Sequence, residues 1–150
     1  MDAKAIYQDH LDRVSRAVWD GDVDAAAAAM HYPHEMRTLD DVRIVTGPEQ
    51  LKSAARAFRA MMDGHGATAY HRLADTAAFV GEGERRIEGT HHVFLLKGGT
   101  YVIPPYPSTM TLVRKGDLWL GAGISVAIRN TVVNMLATGP AKPADTKRTG

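Results

Sequence analysis

Past Gly66 the hydrophobic pattern of this chain changes period, and that change constrains the fold more than any other feature. Upstream, apolar residues recur at the three-and-four spacing of amphipathic helices; downstream, to about residue 130, they alternate as in half-buried strands. Tyr7, Leu11, Val14 and Val18 form one stripe, with Asp9, Asp12, Arg13 and Arg16 opposite, which predicts a helix over residues 4–20 ending at Gly21. Asp22 can cap a second helix through "VDAAAAAM", and Pro33 is expected to stop it. The third helix opens at Thr46 or Gly47 with Pro48 in its first turn. It carries Leu51, Ala55, Phe58 and Met62 on one face, and Gly64 and Gly66 close it.

Strands are expected near 67–80, 85–97, 100–115 and 117–130, separated by "GEGE", "KGG" and "RKGD" turns. In the last of them Leu118, Leu120, Ala122, Ile124, Val126 and Ile128 fall on one face. "EMRTLDDVRIVTG" can add one or two short strands before the third helix. Helices followed by four consecutive antiparallel strands give an α+β fold, three N-terminal helices packed on a strongly curved antiparallel sheet. A single domain over 1–138 is expected, followed by a flexible tail over 139–150 that has prolines and charges but no large aliphatic residue. Trp119 and Arg129 stand opposite the Leu118 set. Apolar matter on that second face favours a homodimer formed sheet to sheet.

Composition narrows the chemistry. With 45% hydrophobic residues among 150, the chain can bury a core of its own. Eighteen basic residues against seventeen acidic ones, with no block of one sign, leave no footprint for nucleic acid or an anionic membrane. Cysteine is absent, which excludes disulfides, thiolate metal sites and a cysteine nucleophile. The first residues are charged and amphipathic, and no stretch is long enough to span a bilayer, so a cytoplasmic location is expected. Neighbouring residues on a strand project to opposite faces, so His91 and His92 cannot chelate one ion; one is expected inward, the other solvated. No H-x-H on a strand or H-x-x-x-H on a helix is present, and neither metal nor cofactor is expected.

Taken in order, "WDGDVDA", "YPHE", a helix opened by "GPEQL", then "YHR", "IEGTHH" and "GDLWL" resemble the nuclear transport factor 2-like superfamily over residues 4–130. The resemblance is to its polyketide cyclase-like, delta-steroid isomerase-like and scytalone dehydratase-like branch. It implies a cone-shaped fold with a pocket between helices and sheet. In the dehydratase-like members an aromatic-Asp pair ends the first helix and a histidine lies on the first long strand, positions that Trp19-Asp20 and His71 match. Ser108 fits a later polar strand position, whereas Met110 is apolar where a polar amide is expected, which speaks against a dehydratase.

A cofactor-independent isomerase or dehydratase acting on a ring-containing or polyketide-like substrate needs a base beside a carbonyl and a donor for the developing oxyanion. Asp20 is the candidate base; Asp75 is a rival. His34, which follows Pro33 near the expected pocket mouth, and His71 are the candidate donors or relays. His71 shares an alternating face with Leu73, Ala77 and Phe79 and is therefore expected to point inward. Trp19, Tyr32, Phe58, Met62, Phe94, Tyr106 and Ser108 are the expected substrate contacts. The alternatives are a non-catalytic binder of an apolar or ring-containing small molecule, and an assembly module that works through its sheet face.

Overall fold

The computed structural model describes residues 1–133; the expected boundary at 138 and the tail over 139–150 lie outside the described residues. Three helices precede most of the sheet: α1 (Ala3–Asp20), α2 (Val23–Ala28) and α3 (Pro48–Gly64). The strands are β1 (Met30–Arg37), β2 (Val42–Val45), β3 (Ala69–Phe79), β4 (Arg86–Lys97), β5 (Thr100–Tyr101), β6 (Tyr106–Lys115) and β7 (Leu118–Val126), followed by a short α4 (Asn130–Val133). Local chemistry sets the helix ends. The Asp2 carboxylate accepts from the Ala5 amide and Asp22 from the Ala25 amide. Gly21 takes the left-handed conformation, φ 75°, that terminates α1.

The sheet runs β2-β1-β7-β6-β4-β3, with β5 paired beside β4. All pairs are antiparallel except β1 with β7, which are parallel, so the sheet is mixed rather than wholly antiparallel. Helices lie against one face of this bent sheet. From α1, Tyr7, Leu11 and Val14 point down onto it, each burial contributing roughly 1.5–3 kcal/mol. From the sheet, Ile87, Val93, Leu95, Leu112, Ile124 and Val126 point up. Gly89 is required by this contact: a Cβ there would lie 2.6 Å from Tyr7 Cε1 and 2.8 Å from the Thr76 carbonyl. No described helix is long and apolar enough to cross a membrane.

Three irregularities change which side chains face inward. In β3 the pairing passes from Ala74 opposite His91 to Thr76 opposite Thr90, so one extra residue, Asp75, bulges out. The parity of β3 reverses there: Tyr70, Arg72 and Ala74 face the helices, and beyond the bulge Ala77 and Phe79 do. His71 and Leu73, on the other parity, are exposed, contrary to the inward placement expected from their spacing to Ala77 and Phe79. In β7 the extra residue is Ala122, between Gly121 opposite Leu112 and Gly123 opposite Thr111. Ile124 and Val126 face the core as expected, while Leu118 is exposed and the Trp119 ring lies 6.1 Å from Phe79 on the helix side. Trp119 therefore does not belong to the second face.

The third irregularity lies in β1. Its pairing with β7 jumps from Met30–Gly121 to Glu35–Gly123, so "HYPH" is an arched segment within a strand, not a helix stop; α2 has already ended at Ala28. A proline fits here because an arch needs no ladder amide. The arch turns Tyr32 back to donate to the Ala27 carbonyl (2.8 Å) and sends His34 inward.

Candidate functional site

Between α1, α2, α3 and the inner sheet face lies a cavity of about 80 Å³. Its walls are mostly apolar, among them Val14, Leu51, Phe58, Met30, Met110 and Ile124. Its polar groups are His10, His34, Arg72 and Tyr70. Each arrives by a distinct route: His10 on the buried stripe of α1, His34 on the β1 arch, and Arg72 and Tyr70 on the part of β3 before its bulge.

His34 is buried, and its Nδ1–H donates to the Gly121 carbonyl at 2.9 Å. A carbonyl only accepts, so the neutral ring carries its proton on Nδ1 and keeps a lone pair on Nε2. Burial lowers the His34 pKa, the bond to Gly121 offsetting part of that. His10 is 0% exposed and neither ring nitrogen has a partner in good hydrogen-bond geometry. Burial first, then the charges of Arg72 and Arg13, depress its pKa to about 3; the Trp119 carbonyl counters this only weakly. Gly121 brings the two imidazoles together. A Cβ at that position would meet Met30 Sδ at 2.8 Å, His10 Nε2 at 3.2 Å and His34 Cε1 at 3.5 Å.

Among the described residues Arg72 is the only cation on the cavity wall, and it is 7% exposed. Its Nε donates to Ser15 Oγ (2.7 Å) and its Nη2 to the Leu11 carbonyl (3.3 Å), both on α1. Gln8 completes this seam, accepting from the Ala74 amide and donating to the Arg72 carbonyl. Close by, the Tyr7 hydroxyl shares a 2.7 Å hydrogen bond with His91 Nδ1. Burial raises the Tyr7 pKa and lowers that of His91 to about 3, the Arg72 charge adding to the latter.

Of the residues singled out in the sequence, His34 and Phe58 line this cavity. Asp20, His71 and Trp19 line a groove on the outside, between α1 and the β3 edge, that shares only Tyr70 and Arg72 with the cavity wall; Asp20 and His71 are exposed there. Asp20, His34 and His71 thus do not converge on one cavity. Trp19 carries the Arg59 guanidinium 3.9 Å above its ring. Met62, Tyr106 and Ser108 are buried in the packed interior, Ser108 donating to the Ser125 carbonyl. Phe94 stands on the outer sheet face beside Tyr101 and His92, rings 6.4 and 6.5 Å away. The rival carboxylate, Asp75, pairs at the surface with His92 Nδ1 (2.6 Å). His91 is the inward member of its pair.

His10, Arg72 and Gly121 were not singled out. For His10 a signal existed: it sits three residues after Tyr7 and four before Val14, on the apolar stripe itself. For Arg72 none did, since the bulge that turns it inward leaves no mark in the alternation. Among the described residues no three His, Asp or Glu side chains are grouped to hold a metal ion.

Helices laid over one face of a bent sheet, with a polar-studded cavity between them, define a pocket fold of the nuclear transport factor 2-like type. Solved structures show the same fold. A protein with a cystatin-like fold from Nostoc punctiforme PCC 73102 superposes with TM-score 0.66 at 12% identity, covering 98% of this chain and 92% of its own. Aln2 from a Streptomyces species gives 0.64 at 20% identity, with 87% and 93% covered. An NTF-2-like protein of unknown function from Shewanella oneidensis MR-1 gives 0.63 at 12%, with 82% and 97% covered. At these identities the likeness establishes the fold and no activity. No family model matches the chain, and no curated protein does.

Proposed function

We propose that this protein binds a small molecule in the cavity between its helices and its sheet, without a cofactor. The observation that carries this reading is the His10 imidazole, enclosed on the wall of a mostly apolar cavity with neither ring nitrogen in good hydrogen-bond geometry. A buried polar group left without a partner costs about 1–3 kcal/mol. A ligand group reaching His10 would recover that cost.

The test uses Gly121→Ala. The new methyl pushes Met30 and His10 into the cavity, and because the atom it meets first is the end of a flexible methionine, the fold should survive. A ligand-observed NMR screen of small aromatic and aliphatic fragments should find binders to the native chain that this variant no longer holds. Fragments that bind both proteins equally would refute the cavity as the site.

Acid-base chemistry, as in a cofactor-independent isomerase or dehydratase, is a second reading, favoured by the free Nε2 lone pair of His34. The base would then be His34, since Asp20 opens onto the outer groove, and the substrate a ring-containing carbonyl compound small enough for the cavity. Its signature is exchange of solvent deuterium into a bound ketone, lost in His34→Gln. Pairing of two chains across the outer sheet face, where Phe94 and Tyr101 cluster, also belongs to this proposal; a single-chain mass in analytical ultracentrifugation would exclude it.

A further inference from the structure

We infer that the ligand is a small monocarboxylate whose acid group seats on the Arg72 guanidinium beside His10, with its apolar body against Phe58 and Leu51. This rests on the cavity being a ligand site and adds the class of molecule.

Arg72 is a buried charge without a counter-charge among the described residues. A guanidinium taken out of water needs an opposite charge or a full set of acceptors. Arg72 has five N–H groups, and the two bonds it makes, to Ser15 Oγ and the Leu11 carbonyl, are to neutral oxygens. Among the described residues no carboxylate forms an ion pair with it. Asp12 and Asp20 line the outer groove, which Arg72 also borders, but neither is paired with the guanidinium, and neither lines the cavity. As a mere tie between α1 and β3 a neutral amide would serve, and Gln8 already makes such a tie at the same seam. Beyond a long approach to the Tyr70 ring, 6.0 Å from its centroid, the positive charge has no partner of opposite sign among the described residues. Its charge acts on its surroundings, adding to burial in depressing both His10 and His91.

The other polar groups fix how many acid groups the ligand carries. A neutral His10 offers one N–H, a suitable donor for a carboxylate oxygen shared with Arg72. His34 offers only a lone pair, which repels a second carboxylate and accepts from a hydroxyl or an acidic C–H instead. The remaining wall is apolar, and about 80 Å³ admits only a small body.

The test compares acids with their isosteric neutral amides on the full chain at pH 7: propionate with propionamide, and benzoate with benzamide, by calorimetric titration. A charge-assisted pair on a buried guanidinium contributes about 1.5–3 kcal/mol, so the acid should bind about tenfold tighter or more. Arg72→Met should remove that preference; the ligand pairs on the native chain decide the matter even where this variant does not fold. Equal affinity of acid and amide would overturn the carboxylate inference and leave the cavity reading standing. Binding by no member of either pair would overturn both.

Discussion

Acid should unfold this protein over an unusually mild range, and the interior histidines set how steeply. His10 and His91 each have a folded pKa of about 3 against 6.5 for the free side chain. A depressed folded value means that the unfolded chain takes up the proton first. The stability is fully present above pH 6.5 and is lost as pH falls towards 3. Each group then contributes a slope approaching 1.36 kcal/mol per pH unit, so going from pH 7 to pH 5 costs about 2 kcal/mol per histidine and about 4 kcal/mol for the pair. His34, lowered by burial, adds in the same direction. The displaced carboxylates, Asp24 and Asp40, titrate below this window, and Tyr7, Tyr32, Tyr106 and Lys52 above it. Set against the 5–15 kcal/mol that holds a typical domain together, the loss is large. Urea denaturation at pH 7, 6 and 5 measures it. His10→Gln, which cannot take up a proton, should remove about half the slope of the pair. A stability that stays level between pH 7 and 5, or a slope that His10→Gln leaves untouched, would refute the placement of these rings in the dry interior.

Three further outcomes are expected. Gly89→Ala should cost about 1–3 kcal/mol or prevent folding, because the new Cβ meets the Tyr7 ring and the Thr76 carbonyl, a backbone atom that cannot step aside; a thermal melt within a degree of the native one would contradict this. Arg59→Ala should lower stability by about 1 kcal/mol, since its guanidinium stacks on Trp19, donates to the Trp19 carbonyl and pairs with Asp63, joining α3 to the end of α1. Asp20→Asn and His71→Ala, both at exposed positions, should each shift stability by less than about 0.5 kcal/mol and leave fragment binding in the cavity unchanged; loss of binding in either would move the site to the outer groove.

The sequence carries the fold through signals that are local and repeated. Asp22, Pro48 and Gly64 punctuate helices, and alternation after Gly66 announces a sheet, so α1, α3 and the long strands stand close to where periodicity puts them. What alternation cannot carry is parity across an insertion. Ala77 and Phe79 are indeed inward, but one residue, Asp75, lies between them and His71, and the inference from one half of β3 to the other fails by a single step. The same failure, at Ala122, misplaces Trp119. The error in β3 bears on the site, since it hides Arg72 and exposes His71. His34 is inward for a reason that periodicity does not express, an arch spanning Pro33. His10, by contrast, is legible, since it stands on the same stripe as Tyr7, Leu11 and Val14.

The parallel pairing of β1 with β7 also fixes the order in which the cavity can come into being. His34 and the Gly121 carbonyl that orients it are 87 residues apart, and Tyr7 is 84 residues from His91. Such separations place the chain among slow folders, because loop closure must precede any reward from contact. During synthesis, α1 and the β1 arch leave the ribosome long before the strand that completes the pocket floor, and the stripe of Tyr7, Leu11 and Val14 waits uncovered. A nascent chain halted before β7 lacks the Gly121 carbonyl that orients His34 and the Ile124 side of the cavity, and should have no capacity to hold a ligand.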